Sequence, residues 1–309
     1  MRFVVTGGAG FIGSHIADAL ANRGDEVVIL DNLFSGRMEN IRHLADSSKV
    51  TFLNGSVTDQ AFLLKACKDA DGIFHEAAIT SVPRSVKDPL ASNEANVTGT
   101  LNVLVAARKC GIKKIVYASS SSVYGDTPTL PKKEDMVPNP KSPYAITKMT
   151  GERYLEVFHD LYGLDTVSLR YFNVFGPRQD PKSEYSAVIP KFITKILHHE
   201  SPVIYGDGSQ TRDFTYVKDV VQANIRAMES GAQGVFNIAY GNRITLIKLA
   251  RTIMGALGED LPVKYESPRA GDIHDSLADI SAAQKAFGYA PAYTVTTGLE
   301  ETIAWYKNQ

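Results

Sequence analysis

Tyr144 and Lys148 are the residues of this chain whose types and spacing most directly offer chemistry. Set four apart, they fall one above the other on a single face of any helix that carries both. A phenol and an ammonium in that relation make a proton-transfer pair. A free phenol titrates near 10, so a Tyr base working near pH 7 needs a shift of about 3 units, or roughly 4 kcal/mol. One ammonium about 5 Å away, at an effective dielectric of about 20, contributes roughly 3 kcal/mol. Lysine alone falls a little short, and a second positive charge nearby could supply the rest.

The helix that must carry the pair is legible. Ser142 is a good N-cap, and Pro143 suits the first helical position, where a backbone donor would go unused. Beyond them Ala145, Ile146, Met149, Tyr154, Leu155, Phe158, Leu161 and Tyr162 recur at three-and-four spacing. Y-x-x-x-K by itself is a weak signal, because both residue types are common on helices. A half-buried Tyr beside a solvated Lys is the bland alternative. The surrounding elements decide between the two.

At the N-terminus Arg2-Phe3-Val4-Val5-Thr6 is an apolar run that predicts a buried strand. It leads into Gly7-Gly8-Ala9-Gly10-Phe11-Ile12-Gly13, with a helix predicted through Leu20. Strand, glycine loop, helix is the context a dinucleotide fingerprint requires, and Gly8-x-Gly10-x-x-Gly13 fits it. The backbone can then approach a pyrophosphate seated on the helix N-terminus. A tight turn with no ligand is the plain alternative. The next strand, Glu26-Val27-Val28-Ile29-Leu30, ends in Asp31. An acidic residue about 20 positions past the glycines can accept hydrogen bonds from ribose hydroxyls and would repel a ribose phosphate, which favours NAD over NADP. Otherwise Asp31 simply caps the following turn. An oxidised nicotinamide ring is a positive charge of the kind the Tyr needs.

Alternation continues with a strand at 50–53, a helix at 60–67, and a strand at 72–75 ending in Glu76-Ala77-Ala78. A long helix over about 93–110, a strand at 114–118 and, after the Tyr144 helix, a strand at 166–170 complete it. Strands alternating with helices imply an α/β fold with a doubly wound parallel sheet. Ligands of such sheets bind beyond the carboxyl ends of the strands, where Asp31, Ala77, the serines after Ala118 and Tyr171 all fall. Beyond Tyr171, Gly176-Pro177, Pro181, Pro190, Pro202, Gly206 and Gly208 interrupt the pattern. The chain is therefore divided into a dinucleotide-binding domain, 1–172, and a smaller C-terminal substrate lobe, 173–309. Within the latter, 215–229 and 235–239 read as stretches that pack back on the first lobe.

Composition sets the bounds. A chain of 309 residues suffices for one large domain or two intimate ones. Hydrophobic content of 44% and charged content of 22% are ordinary for a soluble globular protein, and a net charge of -1 points to neither nucleic acid nor membrane. The two cysteines, Cys67 and Cys110, read as apolar helix positions, with no zinc pattern and no structural disulfide expected. No apolar run approaches the ~18 residues of a membrane helix. With no signal-peptide layout either, a reducing, cytoplasmic setting is expected.

Taken together, the residues resemble the extended short-chain dehydrogenase/reductase family, and within it the UDP-hexose 4-epimerases. The resemblance covers nearly the whole chain. It rests on T-G-G-A-G-F-I-G at 6–13, S-S-S-S-V-Y-G at 119–125, S-P-Y-A-I-T-K at 142–148, R-Y-F-N-V-F-G-P-R-Q-D-P from Arg170, R-D-F-x-Y-V-x-D-V from Arg212 and R-x-G-D from Arg269. S-V-P-R-S at 81–85 and Y-S-A-V-I-P-K at 185–191 are most similar to bacterial and archaeal enzymes acting on N-acetylated sugars. The fold implied is Rossmann-type and the cofactor NAD.

The resemblance implies that Tyr144 is the general base and that Lys148 holds the nicotinamide ribose while lowering the Tyr pKa. The catalytic serine, four before the Tyr of V-Y-G, is Ser120; Ser119, Ser121 and Ser122 flank it. Cofactor contacts are implied at Gly7, Gly10, Phe11, Ile12 and Gly13, and in the loop of Asp31, Asn32, Ser35 and Gly36. Further ones fall at Ser56 and Val57, at Ala77, Ala78 and Ile79, and at Asn96, Ser119 and Phe172. Substrate contacts are implied at Ser81, Arg84, Ser120 and Tyr144, with Asn173 meeting the phosphates and Arg212 and Arg269 gripping the diphosphate. Val188, Tyr205, Asp272 and Ser276 complete that set. Two positions depart from the family: Glu76, where Leu or Gln is commoner, and Ser56, where many relatives have Asp. Neither is expected to touch the chemistry.

The reaction implied returns its own electrons. Tyr144 takes the proton of the sugar 4-hydroxyl while NAD accepts hydride from the same carbon, and the 4-keto sugar turns over before hydride returns to its other face. Ser276 stands at the position that is bulky in enzymes restricted to glucose and galactose. A small side chain there predicts UDP-GlcNAc/UDP-GalNAc as substrates, alongside UDP-Glc/UDP-Gal. A nucleotide-sugar 4,6-dehydratase or decarboxylase on the same scaffold is the enzymatic alternative, although the dehydratases carry Asp-Glu after the catalytic Thr where this chain has Ser121-Ser122. A catalytically silent NAD-binding regulator is the other. A homodimer through the helices at 96–110 and 144–162 is also implied.

Overall fold

Seven apolar runs assemble as parallel strands in the computed structural model, which describes residues 1–181, 187–268 and 273–309. Six come in order: β1 (Arg2–Thr6), β2 (Glu26–Asp31), β3 (Val50–Asn54), β4 (Gly72–His75), β5 (Lys114–Ser120) and β6 (Asp165–Tyr171). The seventh is Gly234–Ile238. Across the sheet the order runs Gly234–Ile238, β6, β5, β4, β1, β2, β3, and every pairing is parallel. Phe3, Val5, Ile29, Phe74, Val116 and Leu169 point to one face, against α1 (Phe11–Asn22). Val4, Val28, Ile73, Ile115 and Tyr117 point to the other, against α2 (Gln60–Ala66) and the helices that follow. Period-two alternation with both faces apolar is what a doubly covered parallel sheet demands.

Between β4 and β5 lie α3 (Val82–Lys87), α4 (Pro89–Asn93) and α5 (Gly99–Cys110). The helix expected from about 93 starts earlier, at Pro89, because the Asp88 carboxylate accepts the Ala91 N–H at 3.0 Å. It also contains one turn of π-helix, Glu94–Thr98, which carries Asn96. The catalytic helix, α6 (Pro143–Tyr162), begins as expected: Ser142 Oγ accepts the Ala145 N–H at 3.2 Å, and Gly163 ends the helix in the left-handed region. Its apolar residues divide between two faces. Ala145, Leu155 and Phe158 are buried, whereas Ile146, Val157, Leu161 and Tyr162 are exposed.

The second lobe has its own core, built on Ile189, Phe192, Ile193 and Ile196 of α7 (Val188–Leu197) with Phe175, Phe214 and the helix Val295–Lys307. The division at 172/173 is crossed by the chain. Helix α8 (Val217–Glu229) packs on α1, and the Gly234–Ile238 strand then pairs with β6. Without that return, β6 would be an open edge. Among the described residues no helix is long and apolar enough to cross a membrane.

One buried ion pair ties α6 to the sheet. Arg170 Nε and Nη2 each donate to Glu152 at 2.8 Å, and both side chains are nearly inaccessible. Ser119 Oγ donates to the same carboxylate at 2.5 Å, and the guanidinium lies 4.7 Å over the Tyr124 ring. Removing one charge leaves the other stranded, so Arg170→Leu is expected to cost about 3–5 kcal/mol in urea unfolding. The double variant Glu152→Leu/Arg170→Leu is expected to cost less than the single one. A single variant within about 1 kcal/mol of wild type would contradict this account of the pair.

Candidate active site

Three sequence-predicted residues meet at the carboxyl end of β5. Ser120 is the last residue of that strand; its Oγ accepts the Ser122 N–H at 3.2 Å, and its hydroxyl lies near enough to the Tyr144 phenol to lower the phenol's pKa. Lys148 Nζ donates to the Ala118 carbonyl at 2.7 Å, 4.9 Å from the Tyr117 ring centre and 5.9 Å from that of Tyr144. The start of α6 is held from outside by Ser85, whose Oγ accepts the Tyr144 N–H at 3.0 Å.

The electrostatics correct one expectation. Burial pushes the Tyr144 phenol up to about 12; the nearby Ser120 hydroxyl opposes the rise and Glu76 adds to it. Burial likewise brings Lys148 down to about 8, against the pull of Glu76 and Glu152. In the protein alone, then, desolvation of the phenolate sets the direction of the Tyr144 shift. A neutral-pH base at Tyr144 depends on a further positive charge.

The cradle for a dinucleotide is built by the turn between β1 and α1. Gly7 has φ +67°, and a Cβ on it would lie 2.7 Å from the Ala77 nitrogen. A Cβ on Gly13 would overlap the Gly7 carbonyl oxygen. Gly10, the N-cap of α1, offers no side-chain cap, and no acidic residue occupies the first turn, where Phe11 and Ile12 sit. Such a helix end favours an anion. At the end of β2 the Asp31 carboxylate accepts the Ala9 N–H at 3.0 Å and the Leu33 N–H at 2.8 Å, and burial holds its pKa above the ordinary value. It therefore caps the turn and also abuts Gly36, where a Cβ would lie 2.7 Å from it. Asn32 Oδ1 accepts the Phe34 N–H at 3.1 Å, and Ser35 is exposed in the same loop. Ser56 Oγ bonds Thr58, and Val57 is buried beneath.

Asn96 grips Ile79 from both sides: Oδ1 accepts its N–H at 2.7 Å, while Nδ2 donates to its carbonyl at 3.0 Å. Asn96 Nδ2 also donates to Thr147 Oγ1 at 3.0 Å, joining the Ala77–Ala78–Ile79 segment to α6 beside Lys148. The residues present fit NAD: a turn with no room for side chains, an uncapped helix end and a carboxylate at the adjacent strand end.

On the other side Phe172 is buried and Asn173 takes φ +35°, a strained value for a non-glycine residue. Asn173 Nδ2 donates to the Asp213 carbonyl at 3.0 Å and approaches Ser276 Oγ at 3.4 Å. Asn173, Val188, Tyr205, Arg212, Phe214 and Leu246 line a cavity of about 230 Å³. The Arg212 guanidinium donates to the Thr211 and His274 carbonyls, each at 2.9 Å. Ser81, at φ +112°, caps α3 by accepting the Arg84 N–H at 3.3 Å, and the Arg84 guanidinium lies 5.3 Å over the Phe34 ring. Arg269 and Asp272 lie outside the described residues. Among the described residues no three His, Cys, Asp or Glu side chains converge to hold a metal ion.

Sequence reasoning passed over Ser85, Glu152 and Tyr171 as site residues and took Glu76 to be irrelevant to the chemistry. The structure overturns the last point. Glu76 accepts a hydrogen bond from Tyr171 Oη at 2.8 Å, and its charge acts on both Tyr144 and Lys148. The available signal was a carboxylate directly following a fully buried strand, Gly72–His75. For the cradle, Gly7→Ala is expected to weaken NAD binding at least about tenfold by calorimetry, since the clash is with backbone at positive φ. Unchanged affinity would contradict the placement.

Comparison with known proteins agrees with this geometry. Residues 3–239 match the sequence model of the NAD dependent epimerase/dehydratase family. A UDP-glucose 4-epimerase of Mycolicibacterium smegmatis is 40% identical over 312 residues, covering 100% of this chain and 99% of the relative. The solved UDP-N-acetylglucosamine 4-epimerase of Methanobrevibacter ruminantium, in complex with UDP-N-acetylmuramic acid, is 48% identical with a TM-score of 0.97, covering 100% of this chain and 98% of that one. A Thermotoga maritima UDP-glucose 4-epimerase with UDP-glucose is 38% identical with a TM-score of 0.95, covering 100% and 99%. The chain belongs to the NAD-dependent epimerase/dehydratase family.

Proposed function

We propose that the protein is an NAD-dependent UDP-sugar 4-epimerase that accepts UDP-GlcNAc and UDP-GalNAc as well as UDP-Glc and UDP-Gal. The observation that carries the reading is the meeting of Ser120, Tyr144 and Lys148 at one strand end, beside a glycine cradle that fits NAD. NAD, held by the turn of Gly7 to Gly13 and by Asp31, would supply a reversible hydride acceptor for C4 of the sugar. Tyr144 takes the 4-hydroxyl proton and returns it, and the Ser120 hydroxyl beside it orients that hydroxyl. Lys148, anchored on Ala118, holds its charge beside the reacting oxygen. Asn173 and Arg212 bind the nucleotide end, and that remote binding energy steadies a keto sugar that must turn without leaving. Two serines after Ser120, with no carboxylate, argue against elimination of water. For the N-acetylated substrates the support is the small Ser276 beside Asn173, together with a UDP-N-acetylglucosamine 4-epimerase among the structural relatives.

A single assay of the four UDP-sugars, run without added reductant, tests both halves. Wild type is expected to interconvert each pair. Tyr144→Phe is expected to lose at least about a hundredfold in turnover while still binding substrate. Ser276→Tyr is expected to lose the N-acetylated pair alone. Wild-type turnover in Tyr144→Phe would remove Tyr144 as the base, and exclusive use of plain hexoses by wild type would remove the N-acetylated substrates.

The same reading includes a homodimer through α5 and α6. Its support is the outward stripe of Ile146, Val157 and Leu161 on α6, an apolar face with no partner within the described chain. Light scattering at micromolar concentration is expected to give the mass of two chains; the mass of one would contradict it.

A further inference from the structure

We infer that Glu76 is a positioning residue for the catalytic pair, a buried carboxylate set across the end of β5 that in its ionised form acts through space on Lys148 and Tyr144. The inference rests on the epimerase reading and deepens it. Sheet order places β5 between β4 and β6. His75 pairs with Tyr117, so Glu76 stands level with Ala118, the residue whose carbonyl holds the Lys148 ammonium. On the far side Tyr171 pairs with Ser120. The 2.8 Å bond from Tyr171 Oη to Glu76 therefore spans the strand end at the level where Ser120, Tyr144 and Lys148 converge.

The proton in that bond can be assigned. Asn224 Nδ2 donates to the Val220 carbonyl at 2.9 Å and to Tyr171 Oη at 2.8 Å. A carbonyl only accepts, which fixes the amide nitrogen on that side; the Tyr171 oxygen is then an acceptor from Asn224, and its own proton goes to Glu76. A carboxylate is the partner this arrangement suits. The groups packed against it are Tyr171 of β6, which bonds it, and the neutral Asn224 of α8; Lys148 and Tyr144 of α6 feel its charge across the end of β5. His75, next in the chain, turns to the opposite face, between Thr6 and Thr100.

Glu152, one turn beyond Lys148, is a second carboxylate near the ammonium, but the Arg170 guanidinium balances its charge. Glu76 is bonded by a neutral phenol, so no counter-charge of a basic side chain balances it as Arg170 balances Glu152. Burial pushes Glu76 up to about 7, while its charge raises Lys148 and Tyr144. The carboxylate thus keeps the buried ammonium charged and, by the same sign, delays loss of the phenol proton.

The test is a pH titration of the holoenzyme at 295 nm, each protein read against its own Tyr144→Phe background, which isolates the Tyr144 phenolate. Glu76→Gln, which preserves shape and the bond from Tyr171, is expected to move the midpoint about one pH unit lower. Glu76→Leu should move it the same way, and Glu76→Asp should leave it near wild type. Midpoints in the folded Gln and Leu variants equal to or above wild type would overturn the inference, because a merely structural role does not shift the titration of another residue. The measurement needs no turnover, so it reports on Glu76 even if the protein epimerises none of the four sugars.

Discussion

A phenol and an ammonium must leave water together for this site to exist, and each needs a partner when it does. Both neighbours come from three successive residues of β5: the Ala118 carbonyl receives Lys148, and the Ser120 hydroxyl stands by Tyr144 and lowers its pKa. The strand must therefore end at one height relative to α6. The sheet register with β4 and β6 sets that height. The intervening residue, Ser119, is pinned to Glu152 on α6, and Glu152 to Arg170 on β6. The buried ion pair contributes location here, in an environment where it adds little net stability over an apolar pair.

The desolvation that organises the site also restrains it. With the phenol pushed up to about 12 and the ammonium down to about 8, the pair rests in its neutral-Tyr form. Chemistry at neutral pH then waits on a positive charge from outside the chain, which the glycine cradle is shaped to deliver. The apolar walls of the fold make that dependence possible, since in water the same charges would be screened.

Much of this was legible from local sequence. The Ser142-Pro143 start, the glycine turn, the strand ends and the Tyr144–Lys148 face all follow from rules acting within a few residues, and each stands where spacing placed it. What stayed hidden depends on residues far apart in the chain. Glu76 and Tyr171 are 95 positions apart, and only sheet order brings them together. The pairing of Glu152 with Arg170 is of the same kind; the return of 234–238 was legible as a stretch packing back on the first lobe, but not its pairing with β6. The π turn around Asn96 leaves no mark in helical periodicity, because one wide turn merely shifts the phase of the apolar stripe. The reversed Tyr144 shift had a different origin: a pairwise charge estimate omits the burial that brings the pair together.

The central claim is that the sugar carbon is oxidised and reduced by one hydride that never leaves the site. Converting UDP-glucose carrying deuterium at C4 in ordinary water, and weighing the UDP-galactose formed, tests it most directly. The account predicts full retention of deuterium at C4. Loss of that deuterium to solvent would contradict it, because the proton held by Tyr144 would then have come from carbon instead of from the hydroxyl.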